Sequence, residues 1–182
     1  VGKLTFYTGE GIRTGTAFMV SKWGDHERVL LTCAHTVTDV TKPIQYQPYG
    51  STNSFPCTPL LINRDVDLLL LQPQGQIDAG GLEVYQTPPE FSIAKPLESR
   101  KVWLLGAACG TDISAPSGDI IADKVLAEKI FGDLNKISRP RIESRLAPFV
   151  YVLRHDVINH AGCSGGALID QYGKVLGVHH GG

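Results

Sequence analysis

Breaker residues set the grain of this chain. Its 20 glycines and 11 prolines cut the sequence into short runs rich in Val, Ile, Leu, Thr and Tyr, and no apolar repeat of 3.6 residues is sustained over a long stretch. A chain punctuated this finely has no room for long helices and reads as mostly β. Strands are expected over residues 3–7, 15–21, 28–32, 44–47, 60–63, 67–72, 101–106, 119–128, 149–153, 166–169 and 174–179. Short strands at this spacing suit a sandwich or a pair of barrels. Residues 34–41 have room for one helical turn, and residues 122–134 carry a helical alternative.

With 182 residues and 42% apolar content the chain can bury one large core, or two small subdomains that share one. Breakers are densest from Pro73 to Pro96, which points to an N-terminal part at 1–80, a linker at 81–96 and a C-terminal part at 97–182. The 17 Lys and Arg against 18 Asp and Glu leave a net charge of −1, so no overall field exists to hold a nucleic acid or an anionic membrane. Function is therefore expected in a local site. Lys136, Arg139, Arg141 and Arg145 gather near one loop, but Glu143 interrupts them and they read as a solvated surface.

Apolar runs such as Leu68 to Leu71 fall far short of the roughly 18 to 20 residues a spanning helix needs. The chain opens on Val1, has Met19 as its one methionine and shows no charged-then-apolar leader, so it is expected to be processed or excised from something longer. Its compartment is unassigned. Cys33, Cys57, Cys109 and Cys163 form no C-x-x-C pair and have no histidine at finger-like spacing, which argues against structural zinc. They read as buried thiols with a lean toward an intracellular setting, although two disulfides stay arithmetically open.

Chemistry concentrates in three places. Gly162-Cys163-Ser164-Gly165-Gly166 sets a hydroxyl inside a tight glycine turn, where backbone amides can converge and no side chain blocks an incoming carbonyl. That arrangement suits acyl transfer, and the Gly162 and Ser164 amides are the expected oxyanion donors. A glycine-rich turn with a serine also arises for purely geometric reasons. A serine nucleophile needs a base and a group that orients the base. In Leu30-Leu31-Thr32-Cys33-Ala34-His35 an apolar strand ends in small residues and then presents His35; its bland alternative is a structural or surface histidine. Asp67 opens the apolar run Leu68 to Leu71, where a carboxylate is costly unless something donates to it, and a histidine Nδ1 proton would satisfy it. Its alternative is a strand-edge residue, like Asp65.

The order His35, Asp67, Ser164, with gaps of 32 and 97 residues, resembles the chymotrypsin-fold, trypsin-like serine proteases over roughly Gly15 to Gly182. Leu-Thr-Cys-Ala-His, Val-Asp-Leu-Leu-Leu-Leu and Gly-Cys-Ser-Gly-Gly-Ala each match that family's motifs at the corresponding place. The resemblance implies an all-β fold of two six-stranded antiparallel β-barrels with the active site in the cleft between them. His35 and Asp67 come from the first barrel and Ser164 from the second. It also implies an endopeptidase acting on protein or peptide substrates, with no metal and no cofactor.

Three departures from the digestive members matter, and the first two lean toward the bacterial glutamyl endopeptidase and viral branches of that family. Cys163 stands where the digestive members carry an aspartate, Cys33 has no evident mate bracketing His35, and the chain stops at Gly182, where relatives usually continue, so the second barrel is expected to be truncated at its C-terminal end, completed by removed sequence, or closed in an unfamiliar way. The ending Gly177-Val178-His179-His180-Gly181-Gly182 resembles the strand that walls the P1 pocket in those branches. Its polar occupant His179, with His180 and Gly181, is therefore expected to bind a P1 Glu or Gln, and Asn159 or His160 to add a donor. His179 and His180 also have a plain structural reading. Register argues against Cys163 as the nucleophile and for Ser164, because Ala161 precedes Cys163 by two and Ser164 follows it. Two other readings stay in play: a protease-fold module that binds a peptide or partner without cutting it, and a latent domain governed by regulatory parts of a longer polypeptide.

Overall fold

Six strands, β1 (Gly2–Thr8), β2 (Gly11–Trp23), β3 (His26–Cys33), β4 (Ile44–Pro48), β5 (Phe55–Asn63) and β6 (Leu68–Pro73), close into an antiparallel barrel in the order β1-β2-β3-β6-β5-β4. The computed structural model describes residues 1–78, 80–85, 89, 100–110, 112–126, 146–147 and 150–181. Strands β7 (Lys101–Leu105), β8 (Ser117–Leu126), β9 (Tyr151–His155), β10 (Ala167–Ile169) and β11 (Val175–Val178) form a second antiparallel sheet in the order β11-β10-β7-β8-β9. This sheet curls. Strands β9 and β11 are its opposite edges, yet the rings of His155 and His179 at their ends lie 5.2 Å apart. The all-β, two-barrel fold is thus the one expected, with five strands of the second barrel among the described residues.

Strand alternation explains why the apolar runs are apolar on both faces. Leu69 and Leu71 point into the first barrel with Leu4, Phe6, Met19, Leu30 and Tyr46. Their neighbours Leu68 and Leu70 point outward to join Phe18, Val20, Val29 and Leu31 against Ala167 and Val175 of the second sheet. A third cluster of Val102, Leu104, Ile120, Val157, Cys163 and Leu168 fills the second barrel. The middle cluster draws on both barrels, so each wall of the cleft is fixed to the other by buried apolar surface.

Between the barrels, Leu82 bridges to Val20 and Val84 to Val175, so this stretch lies between β2 and β11. Strand β5 starts earlier than expected because its prolines were read as breakers; Pro59 sits at a bulge, where a missing N–H is tolerated. Residues 34–36 form a hydrogen-bonded turn in place of the helical one, with the Thr36 amide donating to the Cys33 carbonyl at 3.2 Å. Residues 122–126 belong to β8, and the rest of the helical alternative, the Lys136 to Arg145 cluster and most of the 81–96 segment lie outside the described residues. No described helix is long and apolar enough to cross a membrane. Among the described residues the four cysteines form no disulfide; Cys33 and Cys163 are buried as expected, whereas Cys57 is half-buried and Cys109 is exposed.

Candidate active site

Strand β3 ends at Cys33 and strand β6 begins at Leu68, and the two are paired there, which brings the residues just beyond them side by side. The Ala34 amide donates to the Asp67 carbonyl at 3.1 Å and the His35 amide to Asp67 Oδ1 at 2.7 Å. Asp67 takes a left-handed backbone, φ 55°, which turns its carboxylate back over the strand end. His35 Nδ1 then lies 2.5 Å from Asp67 Oδ2. Asp67 is 4% exposed. Burial alone would raise its carboxyl, but hydrogen bonds from His180 and His35, with the His35 charge and amide, hold it well below the usual carboxylate range. The cost of burying a charge at the head of an apolar strand is met by three N–H groups that converge on it, the His35 amide and Nδ1 of His35 and of His180.

The Ser164 turn comes from the second barrel and is stitched to the first. Thr16 of β2 donates its hydroxyl to the Gly162 carbonyl at 2.7 Å and accepts the Ala107 amide at 2.8 Å, while its own amide donates to the Ser164 carbonyl at 3.2 Å. The Gly165 amide donates to the His179 carbonyl and the His179 amide to the Gly166 carbonyl, at 2.9 and 2.8 Å. Two glycines make the turn: Gly162 at φ 96° and Gly165 at φ 85°, where a Cβ would collide with the Ala107 carbonyl and with Thr16 and Thr32 respectively. The Gly162 and Ser164 amides have no hydrogen-bond partner among the described residues, whereas the intervening Cys163 amide is taken by the His160 carbonyl at 3.1 Å. Cys163 itself packs in the second core at 2% exposure.

Ser164 and His35 line the same cleft of about 550 Å³, walled on the far side by the β1–β2 hairpin through Thr8, Glu10 and Arg13. The Ser164 hydroxyl donates to the His180 carbonyl at 3.3 Å and makes no hydrogen bond to His35 in this arrangement.

His179 and His180 face opposite sides of the chain, as consecutive extended residues do. His179 is buried, 4% exposed, and its Nδ1 lies 3.2 Å from His155 Nε2. His155 Nδ1 accepts the Val157 amide at 3.2 Å. That fixes the protons: a neutral His155 carries its proton on Nε2 and donates to His179 Nδ1, so His179 carries its own on Nε2. Burial, reinforced by the nearby His155, His180 and His35, pushes His179 down to about 4, and burial also lowers His155 against the pull of Asp156. His180 departs from the place expected for it beside the P1 wall, because its ring turns the other way, Nδ1 hydrogen-bonding Asp67 Oδ2 and the ring meeting that of His35 edge-on at 5.2 Å. Gly181 and His160 are exposed, and Asn159 Nδ2 reaches only the Val157 carbonyl at 3.5 Å. His155 escaped the sequence reading, since one histidine at the end of an unremarkable strand carries no local signal; only the curl of the sheet brings it to His179.

Residues 15–178 match the family model of the trypsin-like peptidase domain. The chain belongs to that family. Over 99% of its length, this trypsin-like peptidase domain superimposes on the Rv3671c protease of M. tuberculosis in its active form, with 24% identity, a TM-score of 0.67 and 69% of that chain covered. It is similar in the same way to Deg5, with 16% identity, a TM-score of 0.71, and 99% and 78% of the two chains covered. An HtrA-type protease, AlgW, with a tripeptide gives 17% identity and a TM-score of 0.69 over 97% of this chain and 49% of its own. These likenesses are of fold. No curated protein sequence matches the chain. As a member of a peptidase family, it has proteins or peptides as its substrate class.

Proposed function

We propose that this peptidase domain is a serine endopeptidase in which Ser164 attacks the peptide carbonyl, His35 takes and returns the proton, and Asp67 holds the imidazole and stabilises its charged form. The observation that carries the reading is the contact of His35 Nδ1 with the ionised Asp67 in the same cleft as Ser164, beside two unpartnered amides. The Gly162 and Ser164 amides receive the oxyanion, a role in which each donor lowers the barrier by roughly 3 to 4 kcal/mol. The two strand-rich halves, 1–80 and 97–182, serve as the two walls, with 81–96 as their connection. No nucleic acid or membrane takes part.

For P1 the reading is Glu or Gln, in keeping with the likeness of the Gly-Val-His-His-Gly-Gly ending to the glutamyl endopeptidase and viral branches. Its support is the relay Val157 N–H to His155 to His179, which leaves a neutral imidazole with one donor, Nε2–H. Such a group donates to a carboxamide oxygen at no charge cost and to a carboxylate with an added ion–dipole gain. The Ser164 hydroxyl resting on the His180 carbonyl favours a second reading, a latent domain that needs a partner or regulatory segment to turn the serine toward His35.

A fluorophosphonate probe, with its adduct located by mass spectrometry, tests the chemistry. Labelling of Ser164 in the native chain, lost in His35→Ala and Ser164→Ala, is expected; labelling that survives loss of His35 would refute the triad. His179→Leu should keep the labelling and lose cleavage after Glu and Gln, and parallel loss of both would make His179 structural. Labelling that appears only when a further segment is supplied would mark the latent domain.

A further inference from the structure

One oxygen at the heart of the site is shared by two imidazoles. Asp67 Oδ2 accepts from Nδ1 of both His35 and His180, so both rings turn the same nitrogen inward. The Cys33 thiol comes to the same point, and the four side chains present donor atoms all within 4.8 Å of one another. A tetrahedral zinc ion with ligands at 2.0–2.3 Å needs donors roughly 3.3–3.8 Å apart, so this cluster closes on one with small side-chain shifts. The set is two imidazole nitrogens, one sulfur and one carboxylate oxygen. Such a set selects zinc or a similar borderline-soft cation over magnesium and calcium, which take oxygens.

Charge supports the same conclusion. Asp67 accepts three N–H groups, from the His35 amide and from Nδ1 of His35 and of His180. The Cys33 thiol donates to the His179 carbonyl at 3.1 Å, and a bound cation would take the place of that proton on sulfur. Thiolate and carboxylate together carry two negative charges, which neutralise a dication in a half-buried place. Cys33 and Asp67 form the closed floor, whereas His35 and His180 are partly open to solvent, with side-chain exposures of 16% and 24%, and give a route in.

We propose that Cys33, His35, Asp67 and His180 form an inhibitory site for zinc, a brake on the hydrolysis proposed above. The exchange balances: the cation displaces one proton from the Cys33 sulfur, and each imidazole moves its proton from Nδ1 to Nε2 as Nδ1 takes the metal. His35 then has a proton where it must accept one from Ser164, and Asp67 no longer holds the ring. Hydrolysis stops while the metal is bound and resumes when it is removed.

The inhibitory arm rests on the peptidase reading, but binding does not, so the two are tested apart. The whole chain, stripped by EDTA, is titrated with Co²⁺ and followed by absorption. Tetrahedral cobalt bands with a thiolate-to-cobalt charge-transfer band, saturating at one equivalent and lost in Cys33→Ala, are expected. In a competition with a chromophoric chelator, His180→Ala should weaken zinc binding by more than the roughly 10–100-fold that loss of an outer partner costs. Turnover of a peptide substrate should fall with zinc and return with EDTA. Octahedral cobalt bands or no charge-transfer band in the native chain would overturn the site, whatever the variants do. Zinc inhibition equally strong in Cys33→Ala and His180→Ala would overturn it as well.

Discussion

Asp67 and His179 are two buried polar side chains whose environments push in opposite directions. Asp67 is charged because donors surround it; His179 is neutral because burial disfavours its charge and the groups beside it are other imidazoles, His155, His180 and His35. The sign of the second effect is testable. The folded chain holds the His179 proton only below about pH 4, whereas an unfolded histidine holds it below its ordinary 6.5. Between these values the unfolded state binds more protons, so stability is complete above 6.5 and falls as pH drops toward 4, by on the order of 3 kcal/mol for this group. His155 shifts the same way and adds to the fall. Urea midpoints at pH 7 and pH 4.5 should therefore converge in His179→Leu relative to the native chain; an unchanged gap would show that His179 is not the group titrating. Asp67→Asn should lower kcat by roughly 10⁴, since a carboxamide offers the wrong tautomer to His35. A loss of tenfold or less would mean that the His35 ring is oriented by something else.

The strand pattern was legible because breakers bound nearly every strand and alternation inside them is clean, as in β6, where Leu69 and Leu71 enter one core and Leu68 and Leu70 another. The candidate triad was legible for a related reason: each member sits where a small-residue or glycine motif interrupts an apolar run. What the sequence hid depends on curvature and on which way a ring turns. His155 meets His179 only because the second sheet curls its edge strands together, and His180 meets Asp67 only because it faces away from His179. Nor did the sequence single out Thr16, whose hydroxyl ties the Ser164 turn of one barrel to β2 of the other. Thr16→Val keeps the shape and removes the link, leaving the Ala107 amide and Gly162 carbonyl unpaired. It should cost about 1–3 kcal/mol of stability and lower kcat more than it raises KM, with Thr16→Ser restoring both. A stability loss without a kcat effect would detach this link from catalysis.

At the scale of the molecule, the two barrels share an apolar cluster and are crossed by hydrogen bonds from Thr16 to Gly162 and from the Cys33 thiol to the His179 carbonyl. Each barrel has a cluster of its own, but the middle cluster belongs to both. Thermal unfolding is therefore expected as one cooperative transition with calorimetric and van't Hoff enthalpies in agreement, and two resolved transitions would show that the barrels are separable. The cleft they enclose brings together a histidine held by a buried carboxylate, a serine in a glycine turn and two amides without a partner among the described residues, which is the reason to propose peptide hydrolysis there. The most direct measurement is a peptide library diversified at P1, incubated with the native chain and with Ser164→Ala, and read by mass spectrometry. Cleavage by the native chain alone, concentrated after Glu and Gln, is the predicted result. Cleavage undiminished in Ser164→Ala, or none by either protein, would contradict the account.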